Sequence, residues 1–163
     1  MTSIICFHNP DEENGYLSNW YPSQFTHAGI LFSSMEQYMM YQKAVYFHDN
    51  ITASKILNTD VAAEIKALGR KVEGYEENVW SGLRQLVIYE GLIEKFTQNK
   101  DLRGQLLKTG SAILAECAVK DRIWGIGLSI TDPDRLDIKK WKGQNLLGYS
   151  LMMVRRKLNE QNG

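Results

Sequence analysis

Short alternating runs give way to a helical spacing in the first third of the chain. The apolar run over 4–7 predicts a strand, which the following Asn-Pro pair ends. Alternation over 24–27 and the apolar run over 30–32, with Ala-Gly between them, predict a hairpin. The mostly apolar, aromatic segment 33–47 begins with two serines and predicts a helix.

The middle of the chain follows helical periods. Residues 53–57 form a short helical stretch, and Asp60 can cap the next one. The apolar residues of that next segment share one helix face, and they are Val61, Ile65, Leu68 and Val72. A longer helix is predicted over 76–97. Its predicted core face consists of Val79, Leu83, Leu86 and Ile93, widened by Trp80 and Val87. Asp101 is expected to cap a further helix, which Gly110 ends.

The last third combines strand-length runs with one long helix. Small and aliphatic residues over 111–117 and 123–130 predict two paired strands. Gln144 or Asn145 can cap the final helix. The inner face of this helix consists of Leu147, Leu151, Val154 and Leu158. Helices outnumber strands, so we expect an α+β fold, a mostly helical single domain over 1–163 with a small β-sheet.

Charge and cysteine content restrict the partners and the location. Lys plus Arg and Asp plus Glu both number 19, and this zero net charge argues against general binding of nucleic acid or anionic membranes. The N-terminal residues lack a signal-peptide pattern, and no apolar run reaches the roughly 18 residues of a membrane span. We therefore expect a cytoplasmic protein with no membrane partner, in which Cys6 and Cys117 stay reduced.

An acid and a base share one face of the predicted helix over 33–47. Glu36 and Lys43 are seven residues apart, about two helical turns. Tyr and Met surround them, and charges withdrawn from water have movable pKa values. A structural role is also open, because Ser33 and Glu36 form a capping box. Ser34 and Gln37 offer the same box one residue later, which would release Glu36 for a functional role.

Several common chemistries lack their motifs. The three histidines are scattered and neither cysteine has a close partner, so no metal site is expected. Gly125 and Gly127 lack the third glycine of a dinucleotide fingerprint, and neither a phosphate-binding loop nor a G-x-S-x-G elbow occurs. No cofactor is expected. The remaining carboxylates, lysine and tryptophans suit hydrolysis at an anomeric carbon, where an oxocarbenium-like transition state must be stabilised.

Ordered motifs along nearly the whole chain carry a family resemblance. They are GYLSNWYPS over 15–23, FSSMEQY over 32–38 with Gln42 and Lys43, DRIWGIG over 121–127, and WKGQNLLG over 141–148 followed by LMMVR over 151–155. Together they resemble the YbiA-like family, also called the NADAR domain.

The resemblance implies an N-glycosidase acting on a phosphorylated N-riboside. Bacterial members are similar to enzymes that cleave the C1′–N bond of ribosylamino-pyrimidine 5′-phosphates, intermediates of riboflavin biosynthesis, and release ribose 5-phosphate. Other members resemble glycohydrolases that remove ADP-ribose from guanine, and only that alternative implies a nucleic-acid partner. A third alternative is a module that binds ribose phosphate or ADP-ribose without catalysis.

The resemblance also implies catalytic roles for three residues. Glu36 would polarise water or stabilise the developing cation. Lys43 would hold the sugar or phosphate, or attack C1′ as a neutral amine. Asp121 would bind or protonate the base. In this chain the helix reads Glu-Gln-Tyr, where many members have Glu-His-Tyr. Gln37 cannot titrate, so the proton must come from Asp121, Lys43 or the substrate.

The same comparison implies a set of binding residues. Trp80 would stack on the base, although its helical position also suits the core. The other predicted binding residues are Asn19, Trp20, Trp124 and Asn145. Trp20 replaces the commoner phenylalanine and keeps an aromatic wall. Asn145 also suits a helix cap, and Glu116 is an alternative second carboxylate among small apolar neighbours.

Overall fold

A computed structural model describes residues 2–163, which form four short strands, six α-helices and three 3-10 turns. The strands are β1 (Ile4–Phe7), β2 (Phe25–His27), β3 (Ile30–Phe32) and β4 (Ile113–Glu116). The helices are α1 (Met35–Tyr46), α2 (Asn50–Leu57), α3 (Ala62–Gly69), α4 (Glu77–Gln98), α5 (Lys100–Lys108) and α6 (Leu146–Gln161). They fall into two compact units, which we call the terminal unit (up to Tyr21, and Lys100–Gly163) and the central unit (Pro22–Asn99).

The terminal unit is built on a parallel pair of strands. β1 pairs with β4 in the register Ile4 with Ile113, and α6 packs against β4. The four predicted core residues of α6 are all buried. Parallel strands require a long connection, and here most of the chain lies between β1 and β4.

The predicted pairing of 111–117 with 123–130 is wrong. β4 forms within the first run, but the second run is an irregular loop. Its backbone groups have other partners, because Ile126 N–H donates to Glu116 O (2.8 Å) and the carbonyls of Ile123, Trp124 and Gly125 accept from the start of α6. The run is apolar because its side chains contact the core, as the burial of Ile126 shows.

The central unit contains the predicted hairpin and four helices. β2 and β3 pair antiparallel, with Phe25 opposite Phe32. Both rings pack against Tyr38 of α1, at centroid distances of 5.7 and 5.3 Å. Gly91 of α4 permits this packing, since a Cβ there would lie 2.4 Å from the Tyr38 ring. The aromatic cluster thus fixes α1 against the hairpin and α4.

Two predicted helix caps are wrong, and the predicted core face of α4 is correct only in part, since Trp80 and Val87 are buried. Asp60 does not cap α3, whose N-cap position is Val61, and Asp101 lies inside the first turn of α5. On α4, Val79 and Leu86 are exposed. The buried residues of α4 are Trp80, Arg84, Val87, Ile88, Gly91, Leu92, Lys95 and Phe96. Two charged residues belong to this face, so its apolar pattern is hidden in the sequence.

The expected fold class is confirmed. The chain is α+β and mostly helical, although its strands form two separate two-stranded sheets in place of one small sheet. None of the helices within residues 2–163 has the length and apolar character needed to cross a bilayer.

Candidate active site

The N-terminus of α1 resolves the question of which capping box is used. Ser34 is the N-cap, and its Oγ accepts from the Gln37 backbone N–H at 3.2 Å. Gln37 Oε1 accepts in return from the Ser33 backbone N–H at 2.7 Å. The later box, formed by Ser34 and Gln37, therefore caps the helix. Glu36 is only 5% exposed, which makes it a buried carboxylate in the first turn of a helix.

Gln37 also joins α1 to the end of α2. Its Nε2 donates to Ile56 O at 3.1 Å and to Thr59 O at 2.9 Å. With Oε1 engaged at Ser33, both ends of this buried amide are used by the backbone. The position beside Glu36 is thus structural in this chain.

Lys43 is half-buried at the other end of α1. Its Nζ donates to Gly69 O at 2.8 Å and lies 4.3 Å from the centroid of the Tyr75 ring. Burial lowers the pKa of Lys43, and the nearby positive charge of Arg84 lowers it further. The charges of Glu77 and Glu36 act in the opposite direction. The acid and the base of α1 therefore influence each other electrostatically, as the spacing predicts.

One face of α4 carries an aromatic ring, Trp80, and a second cation besides Lys43, the guanidinium of Arg84. Trp80 is 5% exposed, and its ring lies 6.5 Å from that of Tyr46 on α1. Arg84 is one turn further along and 5% exposed, and its Nη2 donates to Glu77 Oε1 at 2.6 Å. The Tyr75 hydroxyl donates to the other oxygen of Glu77.

Sequence reasoning missed Tyr75, Glu77 and Arg84. A signal was present, because Glu77, Trp80 and Arg84 are spaced i, i+3 and i+7, which places them on one helix face. An arginine on the same face as a buried tryptophan is a candidate for a buried ion pair. Of the predicted residues, the central unit contains Glu36 and Lys43 on α1 and Trp80 on α4, and these two helices pack against each other.

The motif D-R-I-W-G forms a turn in the terminal unit. Asp121 Oδ1 accepts from the backbone N–H groups of Ile123 (3.0 Å) and Trp124 (2.9 Å). The carbonyls of Ile123 and Trp124 then accept from Leu146 and Leu147, whose N–H groups would otherwise lack partners at the start of α6. Asp121 and Trp124 are both half-buried, and the carboxylate has a clear structural task.

Asn145 links the start of α6 to β4. It is fully buried with φ 52°, and its side chain makes no cap hydrogen bond. Its Nδ2 donates to Leu114 O at 2.9 Å, and its Oδ1 accepts from the Glu116 N–H at 3.1 Å. These contacts favour a structural role for Asn145, whose substrate-binding role stays a prediction.

The first loop of the terminal unit carries Asn19 and Trp20. Asn19 is 7% exposed, and its Oδ1 makes no hydrogen bond to any residue in 2–163. Buried amide oxygens normally have partners, so this atom is suited to accept from a ligand. Trp20 is 37% exposed and presents ring surface. Glu116, the alternative carboxylate, has its Oε1 3.9 Å from His8 Nδ1.

Other kinds of site have weaker support. Among residues 2–163, no three His, Cys, Asp or Glu side chains converge as metal ligands would. An open depression of about 400 Å³ lies where α1 leads into α2. It is lined by Phe47, His48, Asp49, Asn50, Ile51, Glu73 and Gly74. None of the predicted site residues lines it.

A buried carboxylate and a half-buried lysine on one helix are typical of an enzyme site that stabilises charge. The chain belongs to the NADAR domain family, which matches residues 6–159. The NMR structure of the Escherichia coli protein YbiA is similar over 99% of this chain and 89% of that chain, with a TM-score of 0.82 and 28% identity.

Similar proteins carry informative names. The N-glycosidase R617 of Acanthamoeba polyphaga mimivirus is 36% identical over 165 residues, which cover 96% of each chain. The riboflavin biosynthesis protein VVA0006 of Vibrio vulnificus is 36% identical over 160 residues, 98% of this chain and 40% of that protein. The relatives named N-glycosidases confirm the predicted enzyme class, a hydrolase of N-glycosyl compounds.

Proposed function

We propose that this protein hydrolyses the C1′–N bond of ribosylamino-pyrimidine 5′-phosphates, intermediates of riboflavin biosynthesis, and releases ribose 5-phosphate. The observation that carries the proposal is the burial of the Glu36 carboxylate in the first turn of α1, the helix that also carries the half-buried Lys43. The relative named as a riboflavin biosynthesis protein, which matches nearly the whole chain, supports the choice of substrate.

Glu36 acts where positive charge develops. As the C1′–N bond breaks, its electron pair stays with the departing nitrogen, and C1′ acquires oxocarbenium character. A carboxylate held away from water stabilises that charge more strongly than a solvated one. Glu36 then accepts a proton from the water that attacks C1′, while the departing nitrogen takes a proton from Lys43 or from the substrate itself. A proton-donating role for Asp121 stays a prediction.

Lys43 has two roles that experiment can separate. As an ammonium it binds an oxygen of the sugar phosphate. As a neutral amine, favoured by its lowered pKa, it attacks C1′. The C1′–N bond to the base then breaks, and the departing nitrogen takes the proton that the lysine amine loses. The ribosyl group on Lys43 opens to an imine, which water hydrolyses to ribose 5-phosphate and the free amine. Trp80 supports either route by stacking on the pyrimidine.

Release of ribose 5-phosphate from freshly prepared ribosylamino-uracil 5′-phosphate tests the proposal. We expect turnover by the wild type and a loss of at least about 100-fold in Glu36→Gln, the scale of removing one transition-state contact. Glu90→Gln, an exposed change on α4, is the matched control and should keep full activity. Equal rates in the Glu36 and Glu90 variants would overturn the assignment of Glu36.

Borohydride reduction during turnover separates the two roles of Lys43. A permanent mass increase at Lys43 indicates the imine, and its absence with full turnover indicates the electrostatic role. The variant Lys43→Met removes the amine of Lys43. Its matched control is Lys55→Met, which removes an exposed amine on α2.

Release of ADP-ribose from ADP-ribosylated guanine, without release of ribose 5-phosphate, would assign the alternative substrate. Binding of ribose phosphates without any turnover would indicate the non-catalytic module.

A further inference from the structure

Arg84 has more hydrogen-bonding capacity than its neighbours use. A guanidinium carries five N–H donors in a planar fork. In Arg84 one terminal nitrogen, Nη2, donates to Glu77, while the buried Nε has no hydrogen-bond partner within residues 2–163. Leaving a buried charged donor unpaired is unfavourable. The guanidinium is therefore shaped for a larger anion than the single carboxylate oxygen it contacts.

The approach to Arg84 is open on one side. The side chain of Arg84 is 7% exposed, whereas that of its partner Glu77 is 61% exposed. Glu77 thus reaches the buried guanidinium from solvent, and an anion from solution can follow the same route. Because Glu77 is exposed, water can solvate its carboxylate when it leaves Arg84, and an anion with a higher charge can take its place.

Tyr75 and Lys43 supply further hydrogen-bond donors near the Arg84 guanidinium. The Tyr75 hydroxyl donates to Glu77, and the Tyr75 ring lies beneath the Lys43 ammonium. Lys43 and Arg84 are close enough for their like charges to interact unfavourably. A doubly charged anion would relieve that repulsion and match both the fork of Arg84 and the hydroxyl of Tyr75.

We propose that Arg84, with Tyr75 and Lys43, binds the phosphate group of the substrate, and that Glu77 competes with the phosphate for this place. The choice of a sugar phosphate as ligand rests on the proposed function. Trp80 lies on the same face of α4, between Glu77 and Arg84 in the sequence, and is buried as Arg84 is. Arg84 is thereby a binding residue.

Calorimetric titration with ribose 5-phosphate, inorganic phosphate and ribose tests the site without requiring turnover. We expect Arg84→Gln to weaken ribose 5-phosphate binding at least tenfold and Arg84→Lys to recover part of the loss. Glu77→Gln should strengthen binding several-fold because it removes the competing carboxylate. Arg156→Gln, which breaks the exposed pair with Glu160, is the matched control and should change nothing.

Two results would overturn the proposal. One is an affinity within twofold of wild type in a folded Arg84→Gln protein. The other is unchanged or weaker phosphate binding in Glu77→Gln, an exposed change that tests the site even if the Arg84 variants fail to fold.

A kinetic comparison separates this inference from the proposed function. If Arg84→Gln lowers kcat/KM for the phosphorylated substrate but not for its dephosphorylated form, the result supports both the phosphate site and the proposed activity. Arg84-dependent phosphate binding without turnover supports the phosphate site and refutes the proposed activity. Turnover of both substrate forms with no dependence on Arg84 refutes the phosphate site and retains the activity.

Discussion

Lys95 offers a quantitative test of how burial of an amine affects the pH dependence of this protein's stability. It lies on α4 with 0% of its surface exposed, and its Nζ is 5.1 Å from the centroid of the Phe96 ring. Burial lowers the pKa of Lys95 from 10.5 to about 7. In the unfolded chain the amine regains its ordinary pKa. Between pH 7 and 10.5 the unfolded chain therefore binds one more proton than the folded protein, and stability rises with pH across that window.

The expected size follows from the two pKa values. Each pKa unit corresponds to 1.36 kcal/mol, so the charged amine costs up to about 5 kcal/mol below pH 7. Across pH 7 to 9 the linkage contributes a gain of about 2 kcal/mol in the free energy of unfolding. Lys95→Met retains the length of the side chain and removes the titration. The free energy of unfolding of Lys95→Met minus that of the wild type should be about 2 kcal/mol larger at pH 7 than at pH 9.

Urea unfolding of both proteins at pH 7, 8 and 9 measures this difference. Lys55→Met, an exposed change on α2, should follow the wild type at every pH and controls for the loss of one charge. A difference between Lys95→Met and wild type that stays constant within about 0.5 kcal/mol over this range would refute the reasoning, because linkage requires it to change.

Three further predictions concern packing, backbone and thiol chemistry. Gly91→Ala places a Cβ against the Tyr38 ring, and we expect a loss of about 1–3 kcal/mol in the free energy of urea unfolding. Asn145→Ala removes both hydrogen bonds to β4 and puts alanine in a left-handed conformation, so thermal unfolding should show a loss of about 2–4 kcal/mol. The neighbouring Cys117 thiol lowers the pKa of Cys6 to about 7, so iodoacetamide should alkylate Cys6 with an inflection near that pH, and Cys117→Ala should move the inflection upward.

The sequence predicts the fold best where local signals agree. β1, the hairpin and α6 appear at the expected positions because their apolar patterns, turns and boundaries point the same way. The run 123–130 misled because a buried apolar loop and a strand have the same composition. Its backbone hydrogen bonds go to α6 and to Glu116, contacts that depend on the tertiary structure.

The residues of the candidate site were likewise predictable where the signal is local and not where it depends on tertiary packing. The seven-residue spacing of Glu36 and Lys43 was readable because both lie on one helix. The contributions of Tyr75 and Arg84 depend on how α1 packs against α4, which no local pattern specifies. The core face of α4 was misjudged for a related reason, since charged residues at buried positions interrupt the apolar stripe that periodicity detects.

The amide of Gln37 determines what a pH profile of this enzyme can report. Its hydrogen bonds hold the start of α1 to the end of α2, and a carboxamide neither gains nor loses a proton over the range in which enzymes are assayed. A histidine at this position would make the same junction sensitive to acid. Because the support beneath Glu36 is indifferent to pH, an inflection in the rate can be attributed to the reacting groups and not to loosening of the helix that carries them.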